Sequence, residues 1–294
     1  MPQIDLKKPA GEAFRSLARK LLAAAARDLK AAGRGAGVHA ARKQLKSARS
    51  LLQLLRHGLG KQAFASASES LRKAAGLLAS ARRAEALQEA VAKLATADGE
   101  AAPALAELAA MARQSHGHHQ APEALRDATI QALDLVTAVR RDVASWPLAK
   151  RDTKPLLRGL KAAYARSRRK LRLGLGQGDI EILHEARTSV IHHLHHLEIL
   201  QPLWPRLFKA WTAELLDLRE ALGDLNDLKE LDKVMAASAT GFSSAETGEQ
   251  ANTAIAGRRK QLLKRVRKTH GRLFAETPST FTRRMDAMWR HAME

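Results

Sequence analysis

The sequence predicts an all-α protein built from two similar helical halves. Alanine contributes 57 of the 294 residues, whereas aromatic residues make up only 4%. Strands favour aromatic and β-branched side chains, and Ala, Leu, Arg, Lys and Glu are the best helix formers. The stretch "VHAARKQLKSARSLLQLL" at 38–55 also aligns with "LHEARTSVIHHLHHLEIL" at 183–200, which indicates an internal repeat.

Five helices are predicted in the first half of the chain, separated by glycine, proline and polar residues. The glycine cluster at 33–37 ends the first helix, Gly58 ends the second, and Asp98 with the glycine after it ends the third. Pro122 suits the first turn of the fifth helix, and Pro147 closes it. The predicted spans are about 10–32, 38–57, 61–97, 101–114 and 122–145.

Five more helices are predicted in the second half. Glycines from Gly174 to Gly178 end the first of them, and Pro202 ends the next. A loop rich in Ser, Thr, Gly and Ala occupies 239–248, and Pro278 separates the last two helices. The predicted spans are about 153–174, 179–200, 204–238, 249–275 and 279–292.

The repeat relates the two halves at an almost constant offset of 145 residues. Downstream of the histidine helices, "LASARRAEAL" at 78–87 matches "LGDLNDLKEL" at 222–231. These matches divide the chain into 1–148 and 149–294, each a copy of one helical unit. The aligned pairs are Arg27 with Arg172, His39 with His184, and Arg42 with Arg187.

The net charge of +20 is concentrated in segments that contain no acidic residue. Three such windows, 29–68, 153–178 and 250–275, each hold eight Lys or Arg. Protein surfaces normally mix the two signs unless they bind something. The pattern therefore predicts a polyanionic partner, which is nucleic acid, an acidic membrane surface or an inorganic phosphate polymer.

The sequence also predicts the cellular compartment of the protein. The chain has no cysteine, which excludes disulfides and thiolate metal sites. Residues 1–17 lack the apolar segment of a signal peptide, and the longest apolar run, 21–26, is shorter than the ~18–20 residues that span a bilayer. We expect a cytoplasmic protein without a membrane partner, and no oligomeric state is indicated.

The second predicted helix carries the strongest candidate site. At ~100° per residue its cations and a histidine lie opposite an apolar stripe that must face the core. The copy of this helix at 179–200 is weaker: it keeps His184 and Arg187 but has Thr188 and Ile191 at two of the basic positions. His195 lies on the same face of that copy, and His193 lies on its apolar face. The basic face consists of His39, Arg42, Lys43, Lys46 and Arg49, continued by Gln53 and Arg56.

The helices that precede these two also carry basic faces. Lys161, Arg168 and Arg172 lie within one arc of ~40°, beside Tyr164, and Lys20 shares a face with Arg27. Short turns join each helix to its histidine helix, so the two should pack antiparallel. We expect all of these basic faces to border one common groove.

The run H-x-x-R-K-x-x-K-x-x-R from His39 to Arg49, its copy from His184, and "LGDLNDL" at 222–228 resemble the CHAD family, the conserved histidine α-helical domain. The resemblance covers about residues 10–290. It implies two four-helix bundles related by a pseudo-twofold, with a basic surface between them. It also implies binding of inorganic polyphosphate and association with polyphosphate granules. The ligand residues it implies are His39, Arg42, Lys43, Lys46, Arg49, His184 and Arg187.

The charge chemistry suits polyphosphate, which offers only oxygens. The guanidinium groups of arginine and the ammonium groups of lysine bind such a polymer without any aromatic ring. Proteins that bind single-stranded nucleic acid usually stack its bases on aromatic rings. The chain has one tyrosine, and no tryptophan lies in the acid-free windows. Nucleic acid stays the alternative, because duplex DNA needs no aromatic residue, although no known DNA-binding motif is present.

Two further interpretations are weaker. His192, His195 and His196 have helical ligand spacing, and a second histidine cluster lies at 116–119, but neither has the ligand set of a good zinc site. Asp224 and Asp227 are better suited to orienting neighbouring arginines than to holding a catalytic metal. We therefore expect a binding protein that is not an enzyme and that uses no cofactor or metal.

Overall fold

The computed structural model describes residues 2–32, 37–78, 83–97, 101–115, 122–237 and 241–293. Within these ranges it contains eleven α-helices and no strand, which confirms the all-α prediction. The helices are α1 (Ala10–Ala32), α2 (Val38–Leu59), α3 (Lys61–Leu77), α4 (Arg83–Ala97), α5 (Ala102–Ser115), α6 (Pro122–Asp142), α7 (Lys154–Gln177), α8 (Ile180–Ile199), α9 (Pro205–Ala237), α10 (Ala245–Leu273) and α11 (Pro278–His291).

Most helices agree with the sequence prediction to within a few residues. The helix predicted over 61–97 is instead two helices, α3 and α4. α7 continues past Gly174, which packs so closely on Leu183 that a Cβ there would lie 2.8 Å from a leucine methyl carbon. It ends at Gly178, whose φ of 67° is the left-handed conformation that favours glycine. Asp179 then caps α8 by accepting hydrogen bonds from two backbone amides of its first turn.

The helices form two groups around a leucine-rich core. α1, α2, α3 and α6 pack on one another in the first group. α7, α8, α9 and α10 pack in the second, and α11 adds to the side of α7. The predicted apolar stripe of α2 is confirmed, since all six of its members are buried: Ala41, Leu45, Ala48, Leu51, Leu52 and Leu55.

Contacts at several places join the halves of the chain, and they include two regions of helix packing. α2 packs on both α7 and α8, and a Cβ placed on Gly159 would lie only 2.0 Å from the carbonyl oxygen of Leu54. The α4–α5 hairpin packs against α9 and α10, where the Lys93 ammonium lies 2.7 Å from a carboxylate oxygen of Asp224. The division at residue 148 and the twofold relation between the halves stay predictions.

Among the described residues, no helix combines the length and apolar character that a membrane crossing requires. Residues 33–36 of the glycine cluster before α2 lie outside the described residues, as does the predicted histidine cluster at 116–119.

Candidate functional site

The side chains on the basic face of α2 differ in how far they are buried. His39, Lys43 and Lys46 are exposed, whereas Arg42 and Arg49 are partly buried. The Arg42 guanidinium donates a hydrogen bond to the carbonyl oxygen of Leu78, just beyond the end of α3. Arg42 therefore ties α2 to α3, in addition to any role toward a ligand.

Ser50 occupies the centre of this face, and α8 crosses α2 on top of it. The side chain is fully buried. Its Oγ lies 2.9 Å from Nδ1 of His192 and 2.8 Å from Nδ1 of His195. His196 places Nε2 2.8 Å from the Ser50 carbonyl oxygen. We call this contact, formed by Ser50 with His192, His195 and His196, the α2–α8 junction.

The number of hydrogen atoms available at the junction limits which groups can donate its hydrogen bonds. The Ser50 hydroxyl has one hydrogen but three neighbours, since Oγ also lies 3.0 Å from the Lys46 carbonyl oxygen. At least one of the two Nδ1 atoms, on His192 or His195, must therefore donate its own hydrogen to Oγ. Nε2 of His196 must likewise carry a hydrogen, because a carbonyl oxygen only accepts.

The junction is uncharged at neutral pH. Burial, together with smaller effects of His196 and Arg49, lowers the pKa of His192 to about 3. Burial and His196, followed by Lys46, lower the pKa of His195 to about 3. Burial lowers the pKa of His196 to about 4, although its bond to the Ser50 carbonyl opposes the shift. His195 thus lies largely within the helix contact, and not on the exposed face that the helical wheel suggests.

Cations from three other helices gather around the junction. Arg166 of α7 lies near His192, as does Arg49. Arg72 of α3 lies near Arg49, whose pKa is lowered by burial and by that neighbour. Arg219 of α9 lies near His195. The sequence interpretation missed Ser50, Arg166 and Arg219, because only the packing shows which residues of neighbouring helices point toward α2.

Carboxylates lie among these cations, and one of them, Glu69, pairs with Arg72 at 2.8 Å. Glu198 of α8 is partly buried, and burial raises its pKa. Lys43 and Arg219 act on the same carboxylate in the opposite direction. Arg219 also lies 3.6 Å from the exposed carboxylate of Glu220. The cations near His195 are therefore partly offset by acids.

The arc predicted on α7 faces away from α2, so the expectation of one groove bordered by all basic faces is wrong for this helix. The Lys161 ammonium lies 3.1 Å from the Ser279 hydroxyl, and Arg168 Nε donates to the Phe274 carbonyl oxygen at 2.9 Å. Arg172 lies on the same side, near His270. Gly159 on the opposite side of α7 lets the helix approach α2, and this contact determines its rotation.

The remaining predicted residues lie at several places on the surface. Lys20 and Arg27 are exposed on α1, and no described residue forms an ion pair with either. Arg56 is exposed with its guanidinium 5.2 Å from the centre of the Phe64 ring. His184 is exposed on α8.

Arg187 is partly buried against α9. A Cβ placed on Gly223 would lie 3.3 Å from Nη2 of Arg187. Burial raises the pKa of Asp227, and the charge of Arg187 acts on that pKa in the opposite direction. Asp224 lies 2.7 Å from the Lys93 ammonium and 3.6 Å from the Arg258 guanidinium. Asp224 thus pairs with cations of two other helices, whereas the role of Asp227 toward an arginine stays a prediction. Arg42 contacts the backbone at Leu78, and Arg187 lies against the backbone at Gly223. Each arginine thus lies beside a backbone position 36 residues further along the chain.

His193 is buried among aromatic rings, as the helical wheel predicts. Its ring lies within 6 Å of the ring centres of Tyr164, Phe274 and Phe281. Burial lowers its pKa to about 3. Within the described ranges, no three histidine or carboxylate side chains converge in a way that could hold a metal ion.

The sequence was compared with known proteins. A family model described as the CHAD domain matches residues 12–236, which is more than half of the chain. No curated protein and no solved structure matches.

The buried histidines make the stability of the fold depend on pH. A histidine in an unfolded chain has a pKa of about 6.5, so below that pH the unfolded state binds more protons than the folded state. The free energy of unfolding should therefore be highest above pH 6.5 and should decrease as the pH drops toward 3. At pH 5 we expect a loss of about 2 kcal/mol for each histidine that stays neutral in the folded state.

Urea unfolding at pH 7.5 and pH 5 measures this loss. The double variant His192→Asn, His195→Asn should show a shallower pH dependence than the wild type, whereas His39→Asn, His184→Asn should keep the wild-type slope. A wild-type protein with equal stability at both pH values contradicts the neutral junction.

Replacing the shared hydroxyl tests the junction directly. Ser50→Ala removes the common partner of two buried imidazoles and should lower the free energy of unfolding by about 1–3 kcal/mol. The matched change Ser66→Ala, at an exposed position of α3, should stay within about 0.5 kcal/mol of wild type. Equal effects of the two substitutions, measured by urea unfolding at pH 7.5, would mean that Ser50 does not hold the helices together.

Proposed function

The chain belongs to the CHAD domain family, and on that basis we propose that it binds inorganic polyphosphate noncovalently on the cationic surface around the α2–α8 junction. The observation that carries the proposal is the gathering of cations from several helices beside a neutral contact. The cations are Lys43, Lys46, Arg49, Arg166 and Arg219.

The arrangement suits a flexible chain of anions. Arg49 and Arg166 lie on the His192 side of the junction, while Lys46 and Arg219 lie on the His195 side. Uncharged imidazoles between the two groups let these cations approach one another at lower electrostatic cost than charged ones would. A phosphate chain that crosses the junction would meet positive charge on both sides of α8.

The residues present fit phosphate oxygens better than nucleic-acid bases. Arginine donates paired hydrogen bonds to phosphate, and lysine supplies a compact charge. The tyrosine of the chain is buried, with its hydroxyl 3.0 Å from the Glu276 carbonyl oxygen. It is therefore not placed to stack a base, which favours an inorganic chain over single-stranded nucleic acid.

The proposal is one of binding without chemical change. Lysine, arginine and neutral histidine around the junction can bind and orient an anion. Such binding would bring the protein to polyphosphate granules, where the polymer is concentrated. Duplex DNA, which is bound largely through its phosphates, is the second candidate ligand.

Charge reversal on α2 tests the position of the site. The triple variant Lys43→Glu, Lys46→Glu, Arg49→Glu should weaken polyphosphate binding by about tenfold or more, because it replaces cations at the junction with anions. We leave Arg42 unchanged because it supports α3. The matched variant Arg126→Glu, Arg140→Glu, Arg141→Glu makes the same change in charge at exposed positions of α6.

Binding is measured by isothermal titration calorimetry with polyphosphate of defined length. The α6 variant should bind within a few-fold of wild type. Equal losses in the two variants would mean that net charge alone determines binding and that the junction is not the site.

Salt dependence and competition test the class of ligand. If about five cations contact the chain, the logarithm of affinity should fall with the logarithm of salt concentration with a slope of about −3 to −5. At one fixed salt concentration, duplex DNA should displace labelled polyphosphate only at a large excess of phosphate. Affinity that is independent of salt contradicts the electrostatic mechanism, and stronger binding of DNA would make nucleic acid the ligand.

A further inference from the structure

We propose that the outward face of α10 is a second polyanion-binding surface, so that one protein molecule holds two separate stretches of phosphate chain. This inference rests on the proposed function, since it assigns the same class of ligand. The surface consists of Lys260, Lys264, Arg267 and Lys268, which we call the α10 stripe. It accounts for the third acid-free window, 250–275, which the α2–α8 junction does not use.

The stripe is a continuous row of exposed positive charge. Its members lie within an arc of about 100° on α10, and all four side chains are exposed. Lys264 has Lys260 four residues before it and Lys268 four residues after it, and like charges at this spacing destabilise a helix. None of the four forms an ion pair with a described residue. A bound anion would remove this repulsion.

Other cations of α10 are neutralised by aspartates of α9. Arg258 lies 3.6 Å from Asp224, and Arg259 pairs with Asp232. Arg265 pairs with a third aspartate of the same helix, Asp217. The chain thus provides carboxylates for cations that face α9 and none for the outward row. A charge excess needed only for solubility would not require this separation.

The surroundings of the stripe are open. Gly257 and Gly271 lie on the same side of α10, at either end of the stripe, and a Cβ on either would meet no described atom within 4 Å. Glycine within a helix is less stable than alanine, and no packing contact explains either residue. Their small size leaves the helix backbone accessible, so an extended phosphate chain can approach it closely.

The stripe is separated from the junction by α7. One side of α7 approaches α2 at Gly159, and the opposite side, at Arg168, contacts the connection between α10 and α11. Packed helix axes lie 8–10 Å apart, which places the two surfaces on the order of 20 Å from each other. A short chain can occupy only one surface, whereas a long chain, or two chains, can occupy both. The protein would therefore bridge stretches of polymer.

Binding stoichiometry distinguishes one surface from two. The probe is a short polyphosphate of defined length, titrated into the full chain by calorimetry at low salt. The wild type should bind two equivalents. The quadruple variant Lys260→Glu, Lys264→Glu, Arg267→Glu, Lys268→Glu should bind one, and the α2 triple variant should also bind one. The α6 triple variant should keep two, as the control for net charge.

Light scattering with long-chain polyphosphate measures bridging. Mixing with wild type should produce large assemblies, whereas either the α10 or the α2 variant should form much smaller ones. Circular dichroism should show wild-type helicity for the α10 variant, because its four altered side chains are exposed.

The outcomes separate the two proposals. One equivalent for wild type, or two for the α10 variant, overturns the second surface and leaves the junction unaffected. Two equivalents for the α2 variant overturn the placement of the first site. Loss of the second equivalent in the α6 control means that net charge determines stoichiometry and overturns both. Binding of duplex DNA but not polyphosphate to the α10 surface overturns its assigned ligand.

Discussion

The contact between Ser50 and three histidines of α8 is the constraint on which the candidate site depends. It lies in the middle of the basic face of α2, where charged imidazoles would be repelled by the cations around the junction. Neutral imidazoles avoid this repulsion because they donate and accept hydrogen bonds without adding charge. The same burial that keeps them neutral makes the fold sensitive to acid.

A net charge of +20 requires the structure to manage repulsion within each bundle. It does so locally: aspartates of α9 pair with arginines of α10, and Glu185 pairs with Lys170 between α8 and α7. Arg42 and Arg168 satisfy part of their donors on backbone carbonyl oxygens. The cations without such partners on α10 are left on the outside, where a polymeric anion can reach them.

The helices and the principal basic face were predictable because their signals are local. Glycine and proline mark the helix ends, and the apolar stripe of α2 follows the helical period from Ala41 to Leu55. His193 was predictable as a core residue for the same reason, since its position on the wheel coincides with the apolar side. The division into α3 and α4 was not predicted, because apolar residues continue across residues 61–97.

The sequence by itself determined the all-α fold, the basic run of α2 and the membership of the CHAD family, because each depends on residue types and spacing along one segment. Tertiary structure alone decided which side of α7 faces α2. There the absence of a Cβ on Gly159 allows contact with the Leu54 carbonyl, so the predicted arc of Lys161, Arg168 and Arg172 faces α10 and α11. It also decided that Ser50 is buried beneath α8, because helix rotation depends on contacts between segments distant in sequence, which a helical wheel does not contain.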